Sequence, residues 1–179
     1  PNIKAGGITF RCNLAGTHDV VQAAKRATHL PVIPKLTPNV TDIASFARVA
    51  EEAGADAVSL VNTFLAMSID VETRRSRLAN VVGGLSGPAI RPIAVRMVHE
   101  CHQAVSIPII GMGGITTAND VLEFMIAGAS AVQVGTANFV DPYIWKKLMV
   151  GLNNYLEKHE IKRLRDIIGT LEVDLAEEA

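Results

Sequence analysis

Three observations predict an α/β fold forming the C-terminal half of a TIM (β/α)8 barrel. Short β-branched runs alternate with helical patterns along the chain. The runs are almost continuously apolar, as parallel strands buried on both faces must be. Glycine and polar residues collect where each run ends, which in a (β/α)8 barrel is the face that carries the site. A doubly wound sheet also alternates strands and helices, but four successive strands contributing to one mouth favour the barrel. A complete barrel needs about 250 residues and eight strands. The 179 residues are therefore expected to form one partial domain, 1–179, of about four parallel strands with their helices and without the first half-barrel.

The opening "PNIKAGG" reads as a strand giving way to a loop, and residues 17–28 read as a helix belonging to a strand upstream. The first strand–helix unit is "LPVIPKLT" followed by "NVTDIASFARVAEEAGA", where Ile43, Phe46, Ala47 and Ala50 recur at helical spacing and Gly54 marks the stop. "DAVSLVNT" is the next strand, and a long polar connection leads to the helix "AIRPIAVRMVHECHQAV". "IPIIGMGGI" with "ANDVLEFMIAGA", then "SAVQVGTA" with "DPYIWKKLMVGLNNYLEKHE", complete the series.

Composition narrows the function. Hydrophobic residues make up 49% and aromatics 4%, so a sizeable aliphatic core is expected. Seventeen basic against eighteen acidic residues give a net charge of -1, which offers no footprint for nucleic acid or an anionic membrane. Cys12 and Cys101 lie far apart without metal-ligand spacing, which predicts neither a disulfide framework nor a zinc site and fits a reducing, cytoplasmic compartment. No apolar run approaches the roughly 18 residues of a membrane span.

The strongest chemical signal is the pair "IIGMGGITTANDV" and "VQVGTANF". A glycine-rich turn after a strand bares backbone N–H groups, and the following helix adds its positive end, so two such turns on successive strands suit a phosphate. Lys35, at the end of an apolar strand, would bring an ammonium to the barrel mouth as a counter-charge for a delocalised anion. Asn62 and Thr63 close the next strand, where an amide suits the mixed edge of an imide ring. "VVGGLSGPAI" offers close approach to a planar ligand. The five histidines show no ligand spacing, with His99 and His102 on a helix surface. Cys101 reads as a buried or half-buried thiol, the methionines as packing residues, and "EKHEIKRLRD" as a solvated helical face.

Taken together, "KLTPNVTDI", "VNT", "LANVVGGLSGPAIRPIAVRMV", "IPIIGMGGI" and "GASAVQVGTANFVDP" resemble the flavin-binding half of class 1 dihydroorotate dehydrogenases, nearest the NAD-linked B type. The resemblance runs from Pro1 to about residue 165. It implies an FMN-bearing barrel that oxidises dihydroorotate to orotate in pyrimidine biosynthesis. On this likeness Lys35, Val61, Gly87, Gly113, Gly114, Gly135 and Thr136 fall on FMN-contacting positions, and Asn2, Asn62 and Thr63 on substrate-contacting ones. The family's catalytic base is a cysteine directly before the Pro-Asn pair that Pro1 and Asn2 match. No catalytic residue is therefore assigned within the chain, and the 179 residues alone are expected to lack turnover. The B type further implies an electron-transfer subunit carrying FAD and a 2Fe-2S cluster that reduces NAD, in a homodimer or heterotetramer. Ala66 stands where the family commonly has glycine, and "ITFRCNLAGTHDVV" departs from its loop pattern. Two alternatives remain at this point: the pyrimidine-reducing FMN domain of a dihydropyrimidine dehydrogenase, and a non-catalytic half-barrel that binds a phosphorylated ligand or dimerises over its open sheet edge.

Overall fold

The computed structural model describes residues 13–173. Cys12 and Asn2 lie outside the described residues. The first helix, α1 (Leu14–Ala27), starts earlier than its apolar pattern suggests because Asn13 caps it, its side chain accepting from the Ala15 N–H at 3.0 Å. In α2 (Ile43–Glu52) the predicted stripe of Ile43, Phe46, Ala47 and Ala50 is buried, and Asp42 caps the start through the Ser45 N–H. Gly54, at φ 92°, ends it: the Gly54 and Ala55 N–H groups return to the Glu51 and Ala50 carbonyls, a closure that needs the left-handed backbone glycine allows.

The sheet is parallel, in the order β1 (Val58–Leu60), β6 (Ile109–Met112), β7 (Ala131–Gln133). Val58 pairs with Ile109, and Ile110 pairs with Ala131. The segment read as the first strand, residues 30–37, does not form a continuous strand and joins the sheet through an isolated parallel Lys35–Ser59 bridge beside β1. Ser59 N–H donates to the Pro34 carbonyl, and Leu36 N–H to Ser59, at 2.9 and 2.8 Å. Pro31 and Pro34 have no N–H to give, so this segment stays at the sheet edge with a sparse ladder.

Helices α3 (Arg91–His102), α4 (Ala118–Ile126) and α6 (Ile144–Lys158) follow the strands, with the short α5 (Ala137–Val140) before the last. Neighbours pack in sequence, α1 on α2, α2 on α3, α3 on α4 and α4 on α6, so an arc of helices backs an arc of strands. Between them lies the expected aliphatic core, with Ile43, Val58, Leu60, Val98, Ile109, Leu148 and one aromatic, Phe124, fully enclosed. Cys101 is buried there too, and burial pushes its thiol pKa up to about 12.

Three expectations change. The polar connection of residues 64–85 is folded: β2 (Phe64–Met67) pairs antiparallel with β5 (Val82–Leu85), and β3 (Ile69–Asp70) with β4 (Arg75–Ser76). Its glycines Gly83 and Gly84 are strand residues opposite Ala66 and Leu65, not loop residues. The stretch "EKHEIKRLRD" is not one solvated helix. It breaks after Lys158 and re-forms as a 3-10 turn at Leu164–Ile167, so that Ile167 is buried and Ile161 and Leu164 pack on the core. His102 is half-buried rather than on the surface: its ring fills the space where Gly128 and Gly169 carry no side chain. Among the methionines, Met97, Met112 and Met125 are buried packing residues, while Met67 and Met149 are exposed.

Candidate functional site

A cavity of about 820 Å³ opens at the C-terminal ends of β1, β6 and β7. Lys35, Val61, Asn62, Thr63, Gly87, Gly113, Gly114, Gly135 and Thr136 all line it. Of the residues nominated from sequence, Asn2 alone lies outside the described residues. Parallel topology explains the convergence: each strand delivers its last residues to the same edge of the sheet, whatever their separation in sequence.

Glycines make two of the walls. Gly113 and Gly114 follow β6 with φ of 134° and 73°. Gly114 is also hemmed in, since a methyl there would lie 2.6 Å from the Gly87 carbonyl oxygen. The Gly87 and Gly113–Gly114 loops thus touch backbone to backbone. Among the described residues, the N–H groups of Gly114, Gly135 and Thr136 donate to no backbone carbonyl or side chain. Such donors at a cavity wall fit a phosphate or another anionic oxygen. The volume also falls within the range of roughly 300–1,000 Å³ typical of cofactor sites. A phosphorylated flavin is compatible with both.

Polar side chains are arranged around this cradle. Lys35 is exposed at the mouth and forms no ion pair with any described residue. Asn62 Oδ1 accepts from the Thr63 N–H at 2.9 Å, fixing the carboxamide as β1 ends, and the Leu60–Val61 peptide just before it is cis. Ser86 Oγ lies 3.4 Å from Thr136 Oγ1 across the cavity. Asn39, just beyond the Lys35 segment, works as a clamp. Its amide donates to the Thr63 carbonyl at 3.0 Å while its oxygen accepts from Leu65 N–H at 2.9 Å. That clamp holds the exit of β1 against the start of β2.

Sequence reasoning missed several cavity residues, among them Thr116, Gln133 and Trp145, and also the carboxylate that supports one wall. Asp120 is 3% exposed and accepts from the Thr116 N–H at 2.8 Å, the Thr116 hydroxyl at 3.0 Å and the Thr117 N–H at 2.8 Å. It also pairs with Arg91 Nη1. Burial alone would raise this carboxyl, but hydrogen bonds from the Thr116 and Thr117 N–H groups and hydroxyls outweigh it and hold the pKa below the usual value. The signal available in sequence was Thr117-x-x-Asp120, a capping box opening α4. Among the described residues no group of histidine, cysteine and carboxylate side chains could hold a metal, and no helix is long and apolar enough to cross a membrane.

The sequence model of the family described as dihydroorotate dehydrogenase matches residues 1–156. The chain belongs to the dihydroorotate dehydrogenase family. A catalytic subunit of dihydroorotate dehydrogenase B (NAD(+)) from Bacteroides thetaiotaomicron is 54% identical over 173 residues, covering 97% of this chain and 57% of that protein. One of the same name from Pelobacter propionicus is 52% identical over 172 residues, with 96% and 57% covered. The chain thus spans little more than half the length of these curated relatives. Among solved structures, a dihydroorotate dehydrogenase from Eimeria tenella in complex with ferulenol superposes with a TM-score of 0.74 at 25% identity, covering 88% of this chain and 48% of that one. The partial barrel read from the strand–helix alternation is therefore the fold of about half a dihydroorotate dehydrogenase.

Proposed function

We propose that this chain forms the FMN- and substrate-binding half of a B-type dihydroorotate dehydrogenase, which oxidises dihydroorotate to orotate in cytoplasmic pyrimidine biosynthesis. The observation that carries the reading is the convergence of both glycine loops, Lys35, Asn62 and Thr63 on one cavity. The family is flavin-dependent, and the N–H groups of Gly114, Gly135 and Thr136 supply the donors that an FMN phosphate requires. Val61 borders the space for the ring system, and Gly87 backs the phosphate cradle, its carbonyl lying against Gly114. Lys35 offers a fixed positive charge where a reduced flavin would carry negative charge in poorly hydrated surroundings. The bound flavin supplies the hydride acceptor. Asn62 and Thr63, with Asn2, present donors and acceptors to the dihydroorotate ring and hold it in one orientation.

The names of the relatives, catalytic subunits of NAD(+)-linked enzymes, support NAD as the final acceptor and a separate partner subunit. That this subunit carries FAD and a 2Fe-2S cluster, in a homodimer or heterotetramer, is proposed on the family resemblance alone. The names also favour dihydroorotate over the dihydropyrimidine dehydrogenase alternative, and the glycine cradle gives a role in flavin binding that a purely structural half-barrel would not need. The family resemblance assigns the base to a cysteine directly before the pair that Pro1 and Asn2 match, and on that reading residues 1–179 by themselves are expected to bind flavin without turnover.

Flavin fluorescence titration of the purified chain tests this. FMN should bind more tightly than riboflavin, by about tenfold or more, because only FMN engages the cradle. Gly114→Ala should abolish that preference, its added methyl meeting the Gly87 carbonyl. Equal affinity for the two flavins would overturn the site assignment, and dihydroorotate oxidation by the 179 residues alone would overturn the assignment of the base to a residue outside them.

A further inference from the structure

Asp120 does not line the cavity, yet its partners belong to the two glycine loops that do. Thr116, which closes the Gly113–Gly114 loop, gives it both its N–H and its hydroxyl. Arg91, which gives it a guanidinium nitrogen, opens α3 directly after the turn of residues 87–90. A capping box requires only the bond from the Thr117 N–H to the aspartate and the return bond from the Asp120 N–H to the Thr117 hydroxyl. The Thr116 and Arg91 contacts exceed that requirement, and each ties a different loop to one buried carboxylate.

The packing between the loops makes this tie consequential. A methyl on Gly114 would lie 3.0 Å from both Arg91 Cβ and Pro88 Cα and 2.6 Å from the Gly87 oxygen, so the loops meet without slack. Arg91 Nε also lies 3.1 Å from Glu123 Oε2. Two carboxylates on α4 thus face Arg91 and more than neutralise its single charge, although its Nε makes no hydrogen bond. This guanidinium acts through its position rather than as a direct counter-charge for a ligand.

Resting on the flavin reading above, we propose that the Asp120–Arg91 pair is a positioning device that sets the spacing of the Gly87 and Gly113–Gly114 loops, and with it the cavity's discrimination for a phosphate-bearing ligand. Breaking the pair lets the α3 loop move against the α4 loop. The cradle donors then lose their common focus, while contacts to an uncharged ring system persist.

Arg91→Met separates this role from helix capping, because it leaves the Thr117–Asp120 box intact. FMN and riboflavin affinities are measured by fluorescence titration for the parent chain, Arg91→Met and Arg91→Lys. Arg91→Met should weaken FMN binding by about tenfold or more, as loss of a partner supporting a binding shell commonly does. Riboflavin affinity should change by no more than about twofold. Arg91→Lys keeps the charge but cannot reach both carboxylates as a fork does, so its loss should be smaller than that of Arg91→Met. An unchanged FMN-to-riboflavin ratio in Arg91→Met overturns the inference. Should that variant fail to fold, a parent-like ratio in Arg91→Lys overturns it. A parent that binds FMN no better than riboflavin overturns the flavin reading itself, and this inference with it.

Discussion

The parallel sheet and the antiparallel arm of residues 64–85 use similar residues to opposite ends. In the sheet Val58, Leu60 and Ile109 are 0%, 0% and 2% exposed; in the arm Leu65, Met67 and Val82 are 68%, 55% and 50% exposed. The difference lies in what covers them. Helix α3 packs on β1 and β6, and α4 on β6 and β7, whereas β2 and β5 pair chiefly with each other in a two-stranded ribbon whose Leu65–Met67 face is left exposed among the described residues. Apolar character therefore makes a strand, and a covering layer makes it stable. The sheet should set the global stability, and the arm should open below it.

The largest effect expected on that comparison comes from Phe124. Its ring lies against β6 where Gly111 leaves room, since a methyl on Gly111 would be 2.6 Å from Phe124 Cδ1. Phe124→Ala should cost about 3–5 kcal/mol by opening a cavity at the centre of the sheet–helix interface. Urea unfolding should show it as a lowered midpoint with an unchanged slope. A loss below about 1 kcal/mol, the scale of a surface change, would mean that the sheet is no better packed than the arm.

The same contrast explains what could be read in the sequence. Residues 58–60 and 109–112 announced themselves because strands covered on both sides have no polar alternation, and the helices because Ile43, Phe46, Ala47 and Ala50 repeat at helical spacing. The arm did not. The exposed face of Phe64–Met67, Leu65 and Met67, is as apolar as its half-buried face, so the segment carries no polar alternation, and Gly83 and Gly84 have the composition of a loop although they sit opposite Ala66 and Leu65. At the site, strand-end residues were legible because topology alone brings them together. Thr116 and the Arg91–Asp120 pair were not, because nothing local links positions 29 residues apart in sequence.

A smaller effect belongs to Asp120, which joins the sheet's cavity edge to α4. Its carboxyl is held below the ordinary value in the native state, and in the unfolded chain it should titrate near 3.9. A depressed native value means that the unfolded state takes up the proton first. The stabilisation is thus complete above about pH 5 and drains away as pH falls through the unfolded and then the native value. At pH 7, Asp120→Asn should be less stable by about 1–2 kcal/mol, the scale of a lost cap with a charged hydrogen bond. The gap between the two proteins should narrow as pH drops below 4. A gap that stays constant down to pH 3 would show that shape rather than ionisation matters at this position.

The smallest effect is expected in the arm, and it is the one that can reverse the comparison. Leu65 and Met67 share one face of β2, and Val82 stands opposite Met67 on the same face. Replacing Leu65 and Met67 together by serine exchanges exposed apolar surface for polar surface. Unfolding at low protein concentration should therefore change by about 0.5 kcal/mol or less. A loss of 2 kcal/mol or more, growing with protein concentration, would mean that a second molecule covers the face in solution. The arm would then be a strand pair whose covering layer comes from elsewhere, and its difference from the sheet would lie in the source of that layer rather than in its absence.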